Sequence, residues 1–150
     1  TTQVQYMSAG TGISHSEKNL DPNIPVRLIQ LWIYPDQKGL TPHYQSHPFK
    51  QEERYNRWCL LVSPRSGTAP IQIHQQTDIY VIESDPGQTL STPHPDRLQY
   101  WVCLEGSVQV LETESDTQIL LEDRDSLTIK SAKAITITPT SRLHLLVIQL

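Results

Sequence analysis

The chain has 150 residues, enough for one domain of ordinary size to bury a core without help from disulfides or metals. Twelve Lys and Arg against sixteen Asp and Glu give a formal charge of -4, with both signs scattered rather than gathered into a basic stripe, which argues against direct binding of nucleic acid. No run approaches the roughly 20 apolar residues of a membrane helix and no leader pattern opens the chain, so a soluble, cytoplasmic protein with no membrane partner is expected.

Eleven prolines are spread along the chain and no window pairs helical apolar spacing with caps at both ends, so long helices are not expected. Short runs rich in Val, Ile, Leu, Thr, Tyr and Trp recur instead, each closed by Gly, Pro, Asp or Ser, as in a barrel or sandwich of short strands. The first predicted strands are Gln3–Ser8 and Val26–Tyr34. In the second of these both alternating sets are apolar, which fits a strand covered on two faces. From Pro35 to Arg57 core candidates become sparse and breakers frequent, so 35–57 reads as a linker or surface crossover. Strands are then predicted at Trp58–Ser63, Ile71–Gln75, Thr77–Ile82, Gln99–Leu104, Ser107–Glu112, Gln118–Glu122, Ser126–Ile129, Ala134–Thr138 and Leu143–Leu150. Glu105-Gly106 supplies a residue free to take positive φ between two of these runs and marks a hairpin. The polar trio Glu114-Ser115-Asp116 marks a second. Residues 1–34 thus form one unit and 58–150 another, and the first is too small to cover its own faces. The two cysteines, Cys59 and Cys103, sit inside apolar runs and read as small buried hydrophobes without a redox role.

The most unusual stretch is Met7-Ser8-Ala9-Gly10-Thr11-Gly12-Ile13-Ser14-His15-Ser16-Glu17. Its glycines permit a tight turn after a strand. His15 and Glu17 then stand at i and i+2, which in extended backbone places both side chains on one face. Such a pair can share iron, manganese or another divalent first-row ion. Taken without other context, it is equally a surface pair or a buried hydrogen-bonded pair.

That stretch resembles a segment of the pirin family with the form M-(S/T)-A-G-x-G-I-x-H-(S/A)-E. Leu28-Ile29-Gln30-Leu31-Trp32-Ile33 is similar to the family's Q-(L/I)-W strand, and Gly39-Leu40-Thr41-Pro42-His43-Tyr44-Gln45 to its (T/E)-P-x-Y-(E/Q) crossover. Ser63-Pro64 and Ile71-Gln72-Ile73-His74-Gln75 echo the family more loosely. The resemblance implies an all-β, cupin-type β-barrel or jelly roll over 58–150, preceded by terminal strands of a first cupin over 1–34. It also implies one metal, usually iron, held by three histidines and a glutamate. His15 and Glu17 match the last two of these ligands. The H-P-H segment that holds the others would lie ahead of Thr1 and has no counterpart here, so the expected iron or other divalent site is incomplete within this chain.

The remaining histidines do not supply the missing ligands. His43 and His47 fall in the crossover and read as exposed loop residues, while His74 and His144 read as packing residues in strands. His94 stands where a second barrel would begin its own metal motif, but Gln99 occupies the place of a further carboxylate ligand, so the second barrel is expected to be metal-free. No catalytic residue is assigned. The expected function is a binding or regulatory module with a protein partner, and the alternative is part of a quercetin 2,3-dioxygenase-like enzyme. Self-association through residues 1–34 is expected from their uncovered strand edges.

Overall fold

A computed structural model describes the backbone of residues 2–150 and the side chains of residues 3–150. Among the described residues its regular elements are strands and one 3-10 turn, Gln51–Glu53. In chain order the strands are β1 Thr2–Ser8, β2 His43–Phe49, β3 Cys59–Pro64, β4 Ile71–Ile73, β5 Asp78–Ser84, β6 Leu90–Ser91, β7 Gln99–Glu105, β8 Val108–Glu112, β9 Thr117–Leu121, β10 Ser126–Ile129, β11 Ile135–Pro139 and β12 Leu143–Gln149. A six-stranded sheet, β10-β7-β12-β5-β3-β4, packs against a four-stranded sheet, β6-β11-β8-β9, and β1 and β2 form a separate antiparallel pair. This is the cupin arrangement expected from the sequence.

Period-two alternation explains the core between the sheets. Trp101 and Cys103 of β7, Leu143, Leu145 and Val147 of β12, Val108 and Val110 of β8, and Ile135 and Ile137 of β11 all point into one fully buried cluster. A second cluster lies on the opposite face of the six-stranded sheet, where Leu61, Val62, Ile71, Ile79, Val81 and Leu146 meet Phe49 of β2 and, less completely, Val4 and Tyr6 of β1. The β1–β2 pair is therefore a lid on that outer face. Strand β12 is apolar on both sides for this reason, with Leu145, Leu146 and Val147 buried in succession. The Glu105-Gly106 hairpin forms as expected, with Gly106 at φ 83°. A Cβ there would meet the Arg142 carbonyl oxygen at 2.0 Å, so only glycine fits.

Two expectations are corrected. Val26–Tyr34 is not a strand: it runs without ladder pairing, with Val26, Leu28, Trp32 and Tyr34 exposed. The segment is held at a few points only, by the Arg27–Glu105 ion pair at 2.6 Å, by Ile33 on the outer cluster, and by Gln75 Nε2 donating to Tyr34 O at 2.9 Å. Part of 35–57 is not a linker: His43–Phe49 pairs along its whole length with β1, Thr2 opposite Phe49 and Ser8 opposite His43. Pro48 is tolerated because β2 is an edge strand with a single ladder partner. Tyr55 and Glu83 also form an isolated bridge, so the stretch after the 3-10 turn is tied to the end of β5.

Candidate functional site

The turn that precedes His15 forms as its glycines suggest. Gly10 lies at φ 51°, and Gly12 N–H donates to Ala9 O at 2.7 Å. A Cβ on Gly10 would meet Leu40 O at 2.0 Å, so this turn is pressed against the start of the Leu40–Pro42 crossover. His15 and Glu17 follow in irregular backbone and both are exposed to solvent. Among the described residues no three His, Cys, Asp or Glu side chains are grouped closely enough to hold a metal ion. A non-haem centre needs at least three protein ligands. The residues present therefore do not fit a complete metal site, and no reaction step through a metal is derived for this chain.

The other histidines are dispersed. His43 and His47, expected in a loop, lie in β2, where exposed His43 tilts against Tyr6 with ring centroids 6.2 Å apart and half-buried His47 meets Phe49 edge-on at 4.7 Å. These rings pack the lid. His74 lies just past β4 rather than in it and accepts from Arg65 Nε at 3.2 Å. His94 is exposed on a turn at φ 43°. His144, in β12 as expected, sits opposite both Glu83 and Glu105, and burial holds its imidazole below the ordinary range despite those carboxylates. Cys103 is buried, with its thiol pushed up to about 11 chiefly by burial, then by Asp123 and Asp125. That is the opposite of an activated nucleophile.

Two further polar constellations are buried. Arg54 is almost wholly buried, its Nε paired to Glu83 Oε1 at 2.7 Å and its Nη1 donating to Phe49 O at 3.0 Å. It stands in a polar stretch that gives no periodic signal. The second is Gln99 and Gln149, both inside the barrel. Their signal was present: each continues the inward parity of an otherwise apolar strand, Gln99 with Trp101 and Cys103, Gln149 with Leu145 and Val147.

Comparison with known proteins agrees with this arrangement. The family described as quercetinase C-terminal cupin domain matches residues 60–150, and the family described as pirin matches residues 1–33. A pirin-like protein of Caulobacter vibrioides is 35% identical over 138 residues, covering 90% of this chain and 56% of its own length. The quercetin 2,3-dioxygenase of Escherichia coli K12 is 36% identical over 78 residues, covering 52% of this chain and 32% of its own. The chain spans about half the length of the curated relatives it matches. Among solved structures, YhhW of Escherichia coli superposes with a TM-score of 0.63 at 23% identity, over 79% of this chain and 47% of YhhW. A structure of the same bacterial pirin in complex with nickel(II) gives 0.62 at 22% identity, over 77% and 47%. With an all-β cupin fold and matches running through both its opening segment and its barrel, the chain belongs to the pirin family.

Proposed function

We propose that this chain acts as a pirin-type binding module without dioxygenase activity of its own. The observation that carries this reading is the exposure of His15 and Glu17 with no third donor grouped beside them among the described residues. Two protein ligands give at most weak, incomplete metal binding. A second reading rests on the intact His15–Glu17 motif inside the pirin match and on the names of the relatives: the chain is one half of a metal-dependent dioxygenase of the quercetin 2,3-dioxygenase type. A relative has been solved with nickel(II), so iron or another divalent metal is the ion to test. Oxygen-dependent loss of quercetin absorbance separates the two. With iron or nickel supplied, the 150-residue chain should give no turnover above the metal-only background. The same chain fused behind the first half of the Escherichia coli enzyme should turn quercetin over if the second reading holds, and replacing both His15 and Glu17 with Ala should abolish that activity. Turnover by the unfused chain would overturn the first reading.

The partner in this reading is a second copy of the chain. Leu20, Ile24, Val26, Leu28, Trp32 and Tyr34 are each at least 60% exposed, with Trp32 and Tyr34 at 85%. Together with Ile29 and Leu31 they leave an apolar segment uncovered, the kind of surface that marks an interaction site. A twofold arrangement would cover both copies at once. Sedimentation equilibrium at tens of micromolar should give a dimer mass, and combining Leu28→Ser, Trp32→Ser and Tyr34→Ser should give a monomer. A monomer mass for the unaltered chain would sink this arrangement.

A further inference from the structure

After the exposed apolar segment the chain returns to the barrel at the end of β4. Two hydrogen bonds hold it there: Gln75 Nε2 donates to Tyr34 O at 2.9 Å, and Asp36 N–H donates to His74 O at 2.7 Å. The ring of the same histidine holds Arg65, whose Nε donates to His74 Nε2 at 3.2 Å. His74 thus fixes both residues, one through its carbonyl and the other through its imidazole. The turn that carries Arg65 and Ser66 is itself braced. Gly67 N–H donates to Pro64 O at 2.8 Å, and Gln72 Nε2 donates to Gly67 O at 2.9 Å. A Cβ on Gly67 would meet Ser63 Oγ at 2.4 Å, so the turn is pressed against the end of β3.

These parts border a cavity of about 230 Å³, lined by Asp36, Arg65, Ser66, Ile73, His74 and Gln76 among others. Its walls are built on the barrel, since Pro64 and Ile73, which both line it, are register partners in the parallel β3–β4 ladder. Arg65 and Asp36 therefore bring opposite charges to one space. Yet they form no ion pair, their charged atoms lying more than 4.0 Å apart, whereas Arg27, Arg54 and Arg97 each hold a carboxylate within that distance. With Nε committed to His74, the Arg65 fork presents its two terminal nitrogens, the geometry that takes a carboxylate bidentately.

We propose that this cavity binds a small zwitterion, a free α-amino acid, with its carboxylate on the terminal nitrogens of Arg65 and its ammonium on the Asp36 carboxylate. A molecule that carries both charges complements both walls. A simple anion would meet Asp36 as a like charge, and a simple cation would meet Arg65. The volume lies below the roughly 300 Å³ at which pockets for drug-sized ligands begin, so a single amino acid fits and a peptide does not. The site uses neither His15 nor Glu17 and stands whichever reading of that pair holds.

The test is an NMR titration of the full chain with alanine, with acetate and ethylamine as ligands that carry one charge each. Alanine should shift the Ser66 and Gln76 amide signals along a saturable curve, and each control should bind at least about tenfold more weakly, because it lacks one charge-assisted contact. Arg65→Gln and Asp36→Asn replace exposed side chains, so both variants should fold, and each should weaken alanine binding by at least about tenfold. In the Asp36→Asn chain alanine should lose its advantage over acetate, a change that disturbance of the fold alone would not produce. No saturable shift at about 100 mM alanine, a hundredfold above a site of about 1 mM affinity, overturns the proposal. Acetate binding as tightly as alanine to the unaltered chain overturns it as well, since Arg65 then acts as a bare anion contact. So does an Asp36→Asn chain that still prefers alanine to acetate.

Discussion

Replacing Glu83 with leucine should lower the folding free energy by about 3–5 kcal/mol, the cost of leaving one member of a buried ion pair without its counter-charge. The side chains of Arg54 and Glu83 are 6% and 14% exposed, so water cannot take over the role of the lost carboxylate. The guanidinium would keep its bond to Phe49 O, which holds the end of β2 and therefore the lid. The backbone ties Asn56 N–H to Glu83 O at 2.7 Å and Glu83 N–H to Arg54 O at 2.9 Å would survive the substitution, so the loss isolates the charge. Combining Glu83→Leu with Arg54→Met should recover most of the stability, since an apolar pair of similar volume commonly equals or exceeds the buried ion pair it replaces. Urea unfolding of the two single variants and the double variant measures this directly. A Glu83→Leu loss below about 1 kcal/mol would place this pair among surface ion pairs rather than buried ones.

The same constellation shows where reading the sequence stops. Arg54 lies in Gln51-Glu52-Glu53-Arg54, a run that reads as solvated because nothing in its neighbours' spacing distinguishes an inward charge. Its burial comes from the Tyr55–Glu83 bridge, a pairing between residues far apart in the chain. Strand β2 was hidden for a related reason: His43-Tyr44-Gln45-Ser46-His47-Pro48-Phe49 has little apolar alternation and two prolines, Pro42 just before it and Pro48 within it, and is a strand because β1 supplies a ladder partner. Val26–Tyr34 errs in the other direction. Its residues favour pleated backbone, but propensity needs a neighbouring strand, and none of the described strands pairs with it. The barrel, by contrast, was legible almost strand by strand, because the runs from Trp58 onward are rich in β-formers and most are closed by turns whose chemistry is local. The His15–Glu17 pair was legible as a motif.

Replacing Trp101 with alanine should cost about 3–5 kcal/mol, comparable to the loss at Glu83 but of different physical origin. Trp101 is wholly buried at the middle of β7, which is flanked by β10 and β12, and its ring is the largest side chain in the cluster between the two sheets. Truncation removes that apolar area from the core and leaves a cavity that the surrounding ladders resist collapsing, because Val147 lies opposite Trp101 on one side and Leu127 on the other. It also strips Gln99 Oε1 of the indole N–H, leaving a buried amide oxygen without its partner. Phenylalanine separates the two contributions: it refills much of the volume but cannot donate, so Trp101→Phe should lose about 1–3 kcal/mol, the range for an unpaired buried acceptor plus a partial packing defect. Unfolding in urea with an unchanged slope would confirm that both variants lose stability rather than cooperativity. A Trp101→Ala loss under about 2 kcal/mol would mean that the cluster between the sheets contributes less than the lidded outer face, and that β1 and β2, not the barrel core, hold this chain together.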